Sequence, residues 1–164
     1  MAANEKRDPA SPTNVERKSD RDLVVTRTFN APLRIVFEAW TKPELFQRWW
    51  APKSFGITFI SCQMDVRTGG NYRMELGHPS SEKPMAFFGR YIEVIPNARI
   101  VWTNDEGSEE GPVTTVTFEE RGNETLVVFH DRYPSKETLD AAIASQATSG
   151  FGQQFEQLDA LLAA

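Results

Sequence analysis

Two spacings of apolar residues divide the chain into strands and helices. Alternation with a period of two, which is typical of half-buried strands, and runs of β-branched residues mark seven segments between residues 23 and 131. The strands predicted in this way cover residues 23–29, 57–66, 72–76, 85–95, 99–103, 113–120 and 125–131. Because short turns connect most of these segments, we expect one antiparallel sheet with a single apolar face that needs a cover.

The predicted hairpins bring apolar residues opposite apolar residues. The expected pairs on the inner face are Met64 with Tyr72, Cys62 with Met74, Tyr91 with Trp102, Phe118 with Val127 and Val116 with Phe129. In the same register Ile92 is expected opposite Val101, and residues 77–84, which contain two prolines, are expected to form a loop.

A spacing of three to four residues predicts helices at three places. Residues 33–40 place four apolar side chains on one face, and Pro43 begins a second, short helix. Ser135 is a suitable N-cap for a long amphipathic C-terminal helix, the element large enough to cover the sheet. Gly150 and Gly152 weaken this helix near its middle, where a break or kink is the alternative to a continuous helix.

The first twenty residues differ from the rest of the chain. They contain two prolines and no apolar stretch, and their four basic and four acidic side chains cancel. We expect a disordered tail over residues 1–20 and one domain over residues 21–164, a length that suits a single core. We do not expect the tail to act as a secretory signal, and no apolar run approaches the roughly 18 residues that span a membrane. A cytoplasmic location without a membrane span is therefore expected.

Composition excludes several classes of function. The net charge of −5 and the scattered basic residues argue against a nucleic-acid partner. One cysteine and two histidines exclude a disulfide framework and any multi-cysteine metal site, so we expect neither a metal nor a cofactor. The 11 Phe, 4 Trp and 3 Tyr residues remain to be explained, either as a closed core or as the wall of a cavity.

Candidate catalytic side chains are few, and we assign no catalytic residue. Cys62 lies on the apolar face of its strand, where a thiol packs like a small hydrophobic group. His130 and Asp131 are neighbours along a strand and so face opposite sides, with His130 outward. Glu93 has the same parity as Tyr91, so it is a general acid or base candidate if it faces the interior; a bulge near Pro96 would instead turn it outward.

Several motifs carry a resemblance to a known family. They are Ala31-Pro32 with Val36-Phe37-Glu38-Ala39-Trp40, Pro43-x-Leu45 with Trp49-Trp50-Ala51-Pro52, Asp65-x-Arg67-x-Gly69-Gly70-x-Tyr72-Arg73, and Gly89-x-Tyr91-x-Glu93-Val94 followed by Pro96. Over about residues 22–163 the chain resembles the START-like (SRPBCC) superfamily. Within it, the chain looks like the bacterial stand-alone members of the family named after the activator of heat-shock protein 90 ATPase. One departure is Gly150-Phe151, where family members often have Gly-Trp.

The resemblance implies an α+β, helix-grip fold. In that fold a curved antiparallel sheet wraps around a long C-terminal helix, and two short helices follow the first strand. It also implies a cavity between the sheet and the C-terminal helix. The side chains expected to line that cavity are Trp40, Trp49, Met64, Tyr72, Met74, Tyr91, Trp102, Phe118, Phe129, Phe151 and Phe155.

Three functions follow from the resemblance and the aromatic residues. The first is non-catalytic binding of a small apolar or amphipathic molecule in the cavity. The second is an interaction module related to the co-chaperone, with a chaperone as its partner and an exposed patch as its site. The third is a cyclase- or hydratase-type enzyme for an aromatic or polyketide-like substrate, using Glu93, Tyr72, Tyr91 or Arg73.

Overall fold

Eight strands form one antiparallel sheet in the computed structural model, which describes residues 13–105, 111–145 and 148–163. The strands are β1 (Asn14–Arg17), β2 (Asp22–Phe29), β3 (Thr58–Met64), β4 (Asn71–His78), β5 (Ser81–Ile95), β6 (Arg99–Thr103), β7 (Val113–Arg121) and β8 (Glu124–Arg132). The helices are α1 (Leu33–Thr41), α2 (Pro43–Phe46), α3 (Lys136–Ala144) and α4 (Phe151–Ala163), and Lys53–Phe55 form a 3₁₀ turn. Within these ranges, each helix is too short or too polar to cross a membrane.

The order of the strands explains how one sheet encloses a core. The strands lie side by side as β1-β2-β8-β7-β6-β5-β4-β3. The connection that contains α1 and α2 carries the chain from β2 to the far edge of the sheet, and successive antiparallel neighbours bring β8 back beside β2. The inner face packs on α1 and α4, so the expected α+β class with an antiparallel sheet is confirmed.

The predicted disorder over residues 1–20 is wrong for residues 14–17. These residues form β1, which pairs with β2 in the register Val15 with Val25. Arg17 also makes an ion pair of 2.7 Å with Asp140 on α3. Composition detects the absence of a core in a segment, but a polar segment is also ordered when it adds its backbone hydrogen bonds to a free sheet edge. Residues 1–12 of the predicted tail lie outside the described residues.

Cross-strand pairing follows the apolar alternation at each of the five inner-face pairs named above. The predicted loop over residues 77–84 is wrong, because β4 continues to His78 and β5 begins at Ser81. Pro84 is compatible with this hairpin because it lies in an exposed, irregular part of β5, next to the register shift between Leu76 and His78. A proline is tolerated there since its missing N–H is not needed by a neighbouring strand.

Two bulges change which residues face the interior. One lies between Phe59 and Ser61 and turns Ile60 outward, so that 57% of it is exposed. The other lies between Tyr91 and Glu93, so Val101 pairs with Glu93 instead of the expected Ile92. A bulge inserts one extra residue into a strand and thereby reverses the parity of the residues beyond it.

The C-terminal helix is divided into α3 and α4, so the alternative of a break is correct. Ser135 is the N-cap of α3, and its hydroxyl accepts a hydrogen bond from the backbone N–H of Thr138 at 3.1 Å. Gly150, just before α4, lies against the chain after α2: a Cβ added there would come within 3.0 Å of Pro52 and 3.6 Å of Phe55. This close approach favours glycine at the junction of the two helices.

Glutamines of α4 fix the segment that follows α2. Gln154 donates to the carbonyl oxygen of Trp50 at 2.5 Å, and Gln157 donates to the carbonyls of Trp49 and Ala51, both at 2.9 Å. These bonds satisfy backbone carbonyl groups that have no partner within a helix or a strand. They hold the backbone on either side of the Trp50 side chain in place.

Gly89 offers a direct test of the packing between β4, β5 and β6. A Cβ at this position would overlap the carbonyl oxygen of Thr103 and lie 2.9 Å from Cε2 of Tyr72. We expect Gly89→Ala to lower the free energy of unfolding by about 2 kcal/mol, since backbone and ring have no room to move. Urea unfolding measures this loss.

Gly152→Ala is the matched control, because an added Cβ on α4 meets no atom of the described residues within 4 Å. It is expected to leave stability unchanged or raise it by up to about 1 kcal/mol. Equal effects of the two substitutions would contradict the close packing at Gly89.

Candidate ligand cavity

A cavity of about 60 Å³ lies between the inner face of the sheet and the segment around α2. Six of the eleven residues predicted to line a cavity do so, namely Trp40, Met64, Tyr72, Met74, Tyr91 and Trp102. Sequence reasoning missed four others: Phe46, Trp50, Phe87 and Asn104. Phe46 and Trp50 were missed because their position depends on how α2 packs on the sheet, which alternation within strands does not reveal.

The other five predicted residues lie in the closed core beside the cavity. They are Trp49, Phe118, Phe129, Phe151 and Phe155, and all are buried. The indole N–H of Trp49 donates to the carbonyl of Ala39 at 2.9 Å, which fixes that ring on α1. The sequence left open whether the aromatic residues form a closed core or the wall of a cavity. Both occur, since about half of the predicted residues close the core and the rest surround a small space.

Trp40 connects these two sets of rings. Its ring centroid lies within 6.5 Å of the rings of Phe46, Trp49, Trp50, Trp102, Phe118, Phe129 and Phe155. Only 2% of Trp40 is exposed, and its indole Nε1 has no hydrogen-bond partner among the described residues. A buried donor without a partner costs about 1–3 kcal/mol, so an unpaired N–H is unusual for a residue that lines the cavity.

The wall contains two neighbouring tyrosines. Their rings are 5.6 Å apart. Tyr72 donates a hydrogen bond of 2.7 Å to the carbonyl oxygen of Thr103, which anchors it to β6. Tyr91 is 4% exposed, and its ring lies on the same wall. Burial raises the pKa of Tyr91, so its hydroxyl is protonated and available as a neutral donor.

A buried polar network borders the cavity at Asn104. The amide nitrogen of Asn104 donates to the carbonyl of Pro112 at 2.7 Å and to the hydroxyl of Thr114 at 3.1 Å. Thr114 in turn donates to the carboxylate of Asp131 at 2.5 Å. Both amide hydrogens of Asn104 are therefore used within the protein, which leaves its carbonyl oxygen on the side of Tyr72, 3.5 Å from that hydroxyl.

The alternation of β7 and β8 carries a signal for this network. Thr114 and Asp131 have the same parity as Val116 and Phe129, so alternation alone places two polar residues on the inner face. Burial raises the pKa of Asp131 to about 6. Asp131 does not itself line the cavity.

Two of the residues named for an enzyme point away from the cavity. Glu93 pairs with Arg99 at 2.8 Å on the outer surface, because the bulge at Ile92 turns it outward. Arg73 pairs with Glu75 at 3.4 Å and lies over the ring of Phe88. Of the two orientations considered for Glu93, the outward one is found, but the bulge that causes it lies between Tyr91 and Glu93 and not near Pro96.

The remaining candidate nucleophile and base are held in unreactive settings. His130 faces outward, as expected, and contacts the carboxylate of Asp22 at 2.7 Å. Cys62 faces Met74 and contacts the sulfur of Met64 at 3.6 Å. Burial raises the pKa of the Cys62 thiol to about 11, so it is protonated near neutral pH.

A second depression lies on the outer side of the segment after α2. This groove has a volume of about 350 Å³ and is bordered by Arg48, Lys53 and Phe59, with neighbouring residues of the same two segments. It is larger than the cavity, but most of its wall is exposed. The aromatic rings and the residue with the unpaired indole N–H, Trp40, line the cavity, which is therefore the better candidate site.

Comparison with known proteins agrees with this architecture. Residues 30–163 match the family model described as activator of Hsp90 ATPase homolog 1-like protein. The chain belongs to this family. No curated protein sequence matches the chain.

Solved structures of three bacterial proteins share this fold. A crystal structure of a Rhodobacter sphaeroides protein has a TM-score of 0.82 at 22% identity, with 92% of this chain and 97% of that chain covered. A Nitrosomonas europaea protein has a TM-score of 0.80 at 20% identity, with 90% and 97% covered. A solution structure of a Staphylococcus epidermidis protein has a TM-score of 0.75 at 27% identity, with 91% and 93% covered.

The buried Asp131 predicts a pH dependence of stability. Its pKa is about 6 in the folded protein, against an ordinary value of 3.8. Between pH 3.8 and 6 the folded protein therefore keeps a proton that the unfolded chain releases. The contribution of Asp131 to stability is therefore highest below about pH 4 and falls by about 3 kcal/mol as the pH rises through 6. Asp131→Asn removes the charge and keeps an acceptor for Thr114.

We expect urea unfolding to show that Asp131→Asn is more stable than the native chain at about pH 7.5, with a gap that shrinks towards about pH 4.5. Asp22 provides the internal contrast, because the Ser19 hydroxyl, His130 and Arg132 lower its pKa to about 2. Its contribution is lost only below about pH 4, equally in both proteins. A gap that is constant from pH 4.5 to 7.5 would contradict the burial of an ionised Asp131.

Proposed function

We propose that this protein binds a small, mostly apolar molecule in the aromatic cavity and does not catalyse a reaction on it. The observation that carries the proposal is the wall itself, which combines aromatic rings and two methionines with a few inward polar atoms. Small-molecule sites generally have this composition, an apolar wall with a small number of polar groups that orient the ligand. The family fold is consistent with binding of this kind.

The volume of the cavity requires side chains to move when a ligand binds. A water molecule takes about 30 Å³ of liquid volume, and a cavity of about 150 Å³ is known to hold benzene. At about 60 Å³ the cavity is smaller than that. Trp50, Met64 and Phe87 are only partly buried, so their side chains are the ones that turn outward. The glutamine contacts of α4 keep the backbone of Trp50 in place during this movement.

The alternatives have less support. The enzyme hypothesis named four residues, and two of them, Glu93 and Arg73, form surface ion pairs and do not line the cavity. The co-chaperone hypothesis calls for an exposed apolar patch. Ile60 and Ile92 are exposed, but Ile60 on β3 is level with Leu76 of β4 and Met85 of β5, whereas Ile92 lies further along β5, about 20 Å away at about 3.3 Å per residue. A chaperone partner and a cytoplasmic location stay predictions.

Binding is tested with N-phenyl-1-naphthylamine, an uncharged dye that fluoresces in apolar surroundings. We expect saturable binding of one dye per chain. Met64→Trp fills the cavity from β3 and is expected to weaken dye binding at least about tenfold, because the added ring occupies the space.

Ile60→Trp is the matched control, since it adds the same ring to the same strand on the outer face. It should leave the affinity within about twofold of the native value. Equal loss in both variants, or no saturable binding by the native chain, would overturn the proposal. Urea unfolding of both variants confirms that they are folded.

A further inference from the structure

The polar atoms of the cavity wall carry information about the chemistry of the ligand. The indole Nε1 of Trp40 is buried and lacks a hydrogen-bond partner among the described residues. Trp40 and Tyr91 are both more than nine-tenths buried, and both line the cavity. Buried donors are nearly always paired in folded proteins, so the unpaired indole N–H of a cavity residue points to a partner that the described residues do not supply.

The indole nitrogen restricts what that partner is. An indole N–H is a donor only, so its partner must be an acceptor. The rings around Trp40 offer no carbonyl or hydroxyl to it: Trp49, Trp50 and Trp102 carry only donors, and Phe46 carries none. Since Trp50 is partly exposed, outward rotation of its ring is the movement that gives a ligand access to Trp40.

The wall also restricts the charge of the ligand. Its residues are neutral side chains, with no Lys, Arg, Asp or Glu among those described as lining the cavity. An ionised carboxylate or ammonium group buried there would lose its hydration without gaining an opposite charge. The Asn104 carbonyl oxygen and the protonated Tyr91 hydroxyl interact with a dipole, which suits an uncharged polar group.

We propose that the ligand is an uncharged ring compound with one exposed acceptor, such as a ketone carbonyl, which binds the Trp40 indole N–H. The Tyr91 hydroxyl is the second polar contact to the same end of the molecule. This inference rests on the proposed function, since it describes the ligand of that same cavity.

Three naphthalenes of matched size separate the apolar, polar and charged contributions. They are 2-ethylnaphthalene, 2-acetonaphthone and 2-naphthoate. Affinities are measured by displacement of N-phenyl-1-naphthylamine, and the indole N–H signals are followed in ¹⁵N-labelled native protein. We expect the ketone to bind best, the hydrocarbon about five- to tenfold more weakly and the carboxylate weakest. The Trp40 indole proton should move downfield with the ketone and not with the hydrocarbon, while that of Trp49, which is already bonded to Ala39, stays in place.

Tyr91→Phe removes one hydroxyl and keeps the ring. It should lower the affinity for the ketone about fivefold and leave the affinity for the hydrocarbon unchanged. The readout is the ratio of the affinities for the ketone and the hydrocarbon in the same variant. A general loss of packing would weaken both ligands alike and leave this ratio unchanged.

The outcomes distinguish the inference from the function on which it rests. If the hydrocarbon and the ketone bind equally and the Trp40 signal responds alike to both, the acceptor proposal is overturned while ligand binding stands. If the carboxylate binds as tightly as the ketone, the requirement for an uncharged ligand is overturned. If none of the three displaces the dye, both the inference and the proposed function fail for ligands of this size.

Discussion

The packing of rings around Trp40 is the interaction on which the rest of the structure depends. Trp40 on α1 contacts rings from the segment after α2, from three neighbouring strands and from α4. Aromatic pairs at these distances contribute beyond the area that they bury. One side chain therefore joins the helices to the inner face of the sheet. The same ring forms part of the cavity wall, so the stability of the core and the shape of the site are linked.

The sequence was informative wherever a position depended on its neighbours along the strand. The pairs Met64 with Tyr72 and Phe118 with Val127 followed from alternation, since a shift of one residue would expose an entire apolar face. The bulges at Ile60 and Ile92 were not predictable in this way, because an extra apolar residue leaves the pattern of hydrophobic positions looking continuous. Most of the site was predictable on the sheet side and not on the side of Trp50, whose place depends on tertiary contacts with α4.

Polar groups inside the protein divide into two kinds. Asn104, Thr114 and Asp131 satisfy one another and link β7 and β8 to the loop after β6, although the ionised carboxylate is held there at a cost. The indole N–H of Trp40, a residue of the aromatic wall, remains unpaired among the described residues. A network of the first kind fixes the shape of the interior, whereas unpaired atoms of the second kind are useful for recognition. This division accounts for a core that is well packed and yet contains a site.

The central claim is that a ligand occupies the interior beside Trp40 and displaces the Trp50 ring. A crystal structure of the protein with 2-acetonaphthone tests it most directly. We predict the naphthalene ring between the sheet and the segment after α2, with its carbonyl oxygen within hydrogen-bond distance of the Trp40 indole nitrogen and with Trp50 rotated outward. A ligand found instead in the outer groove beside Arg48 and Lys53, with Trp50 unmoved, would contradict it.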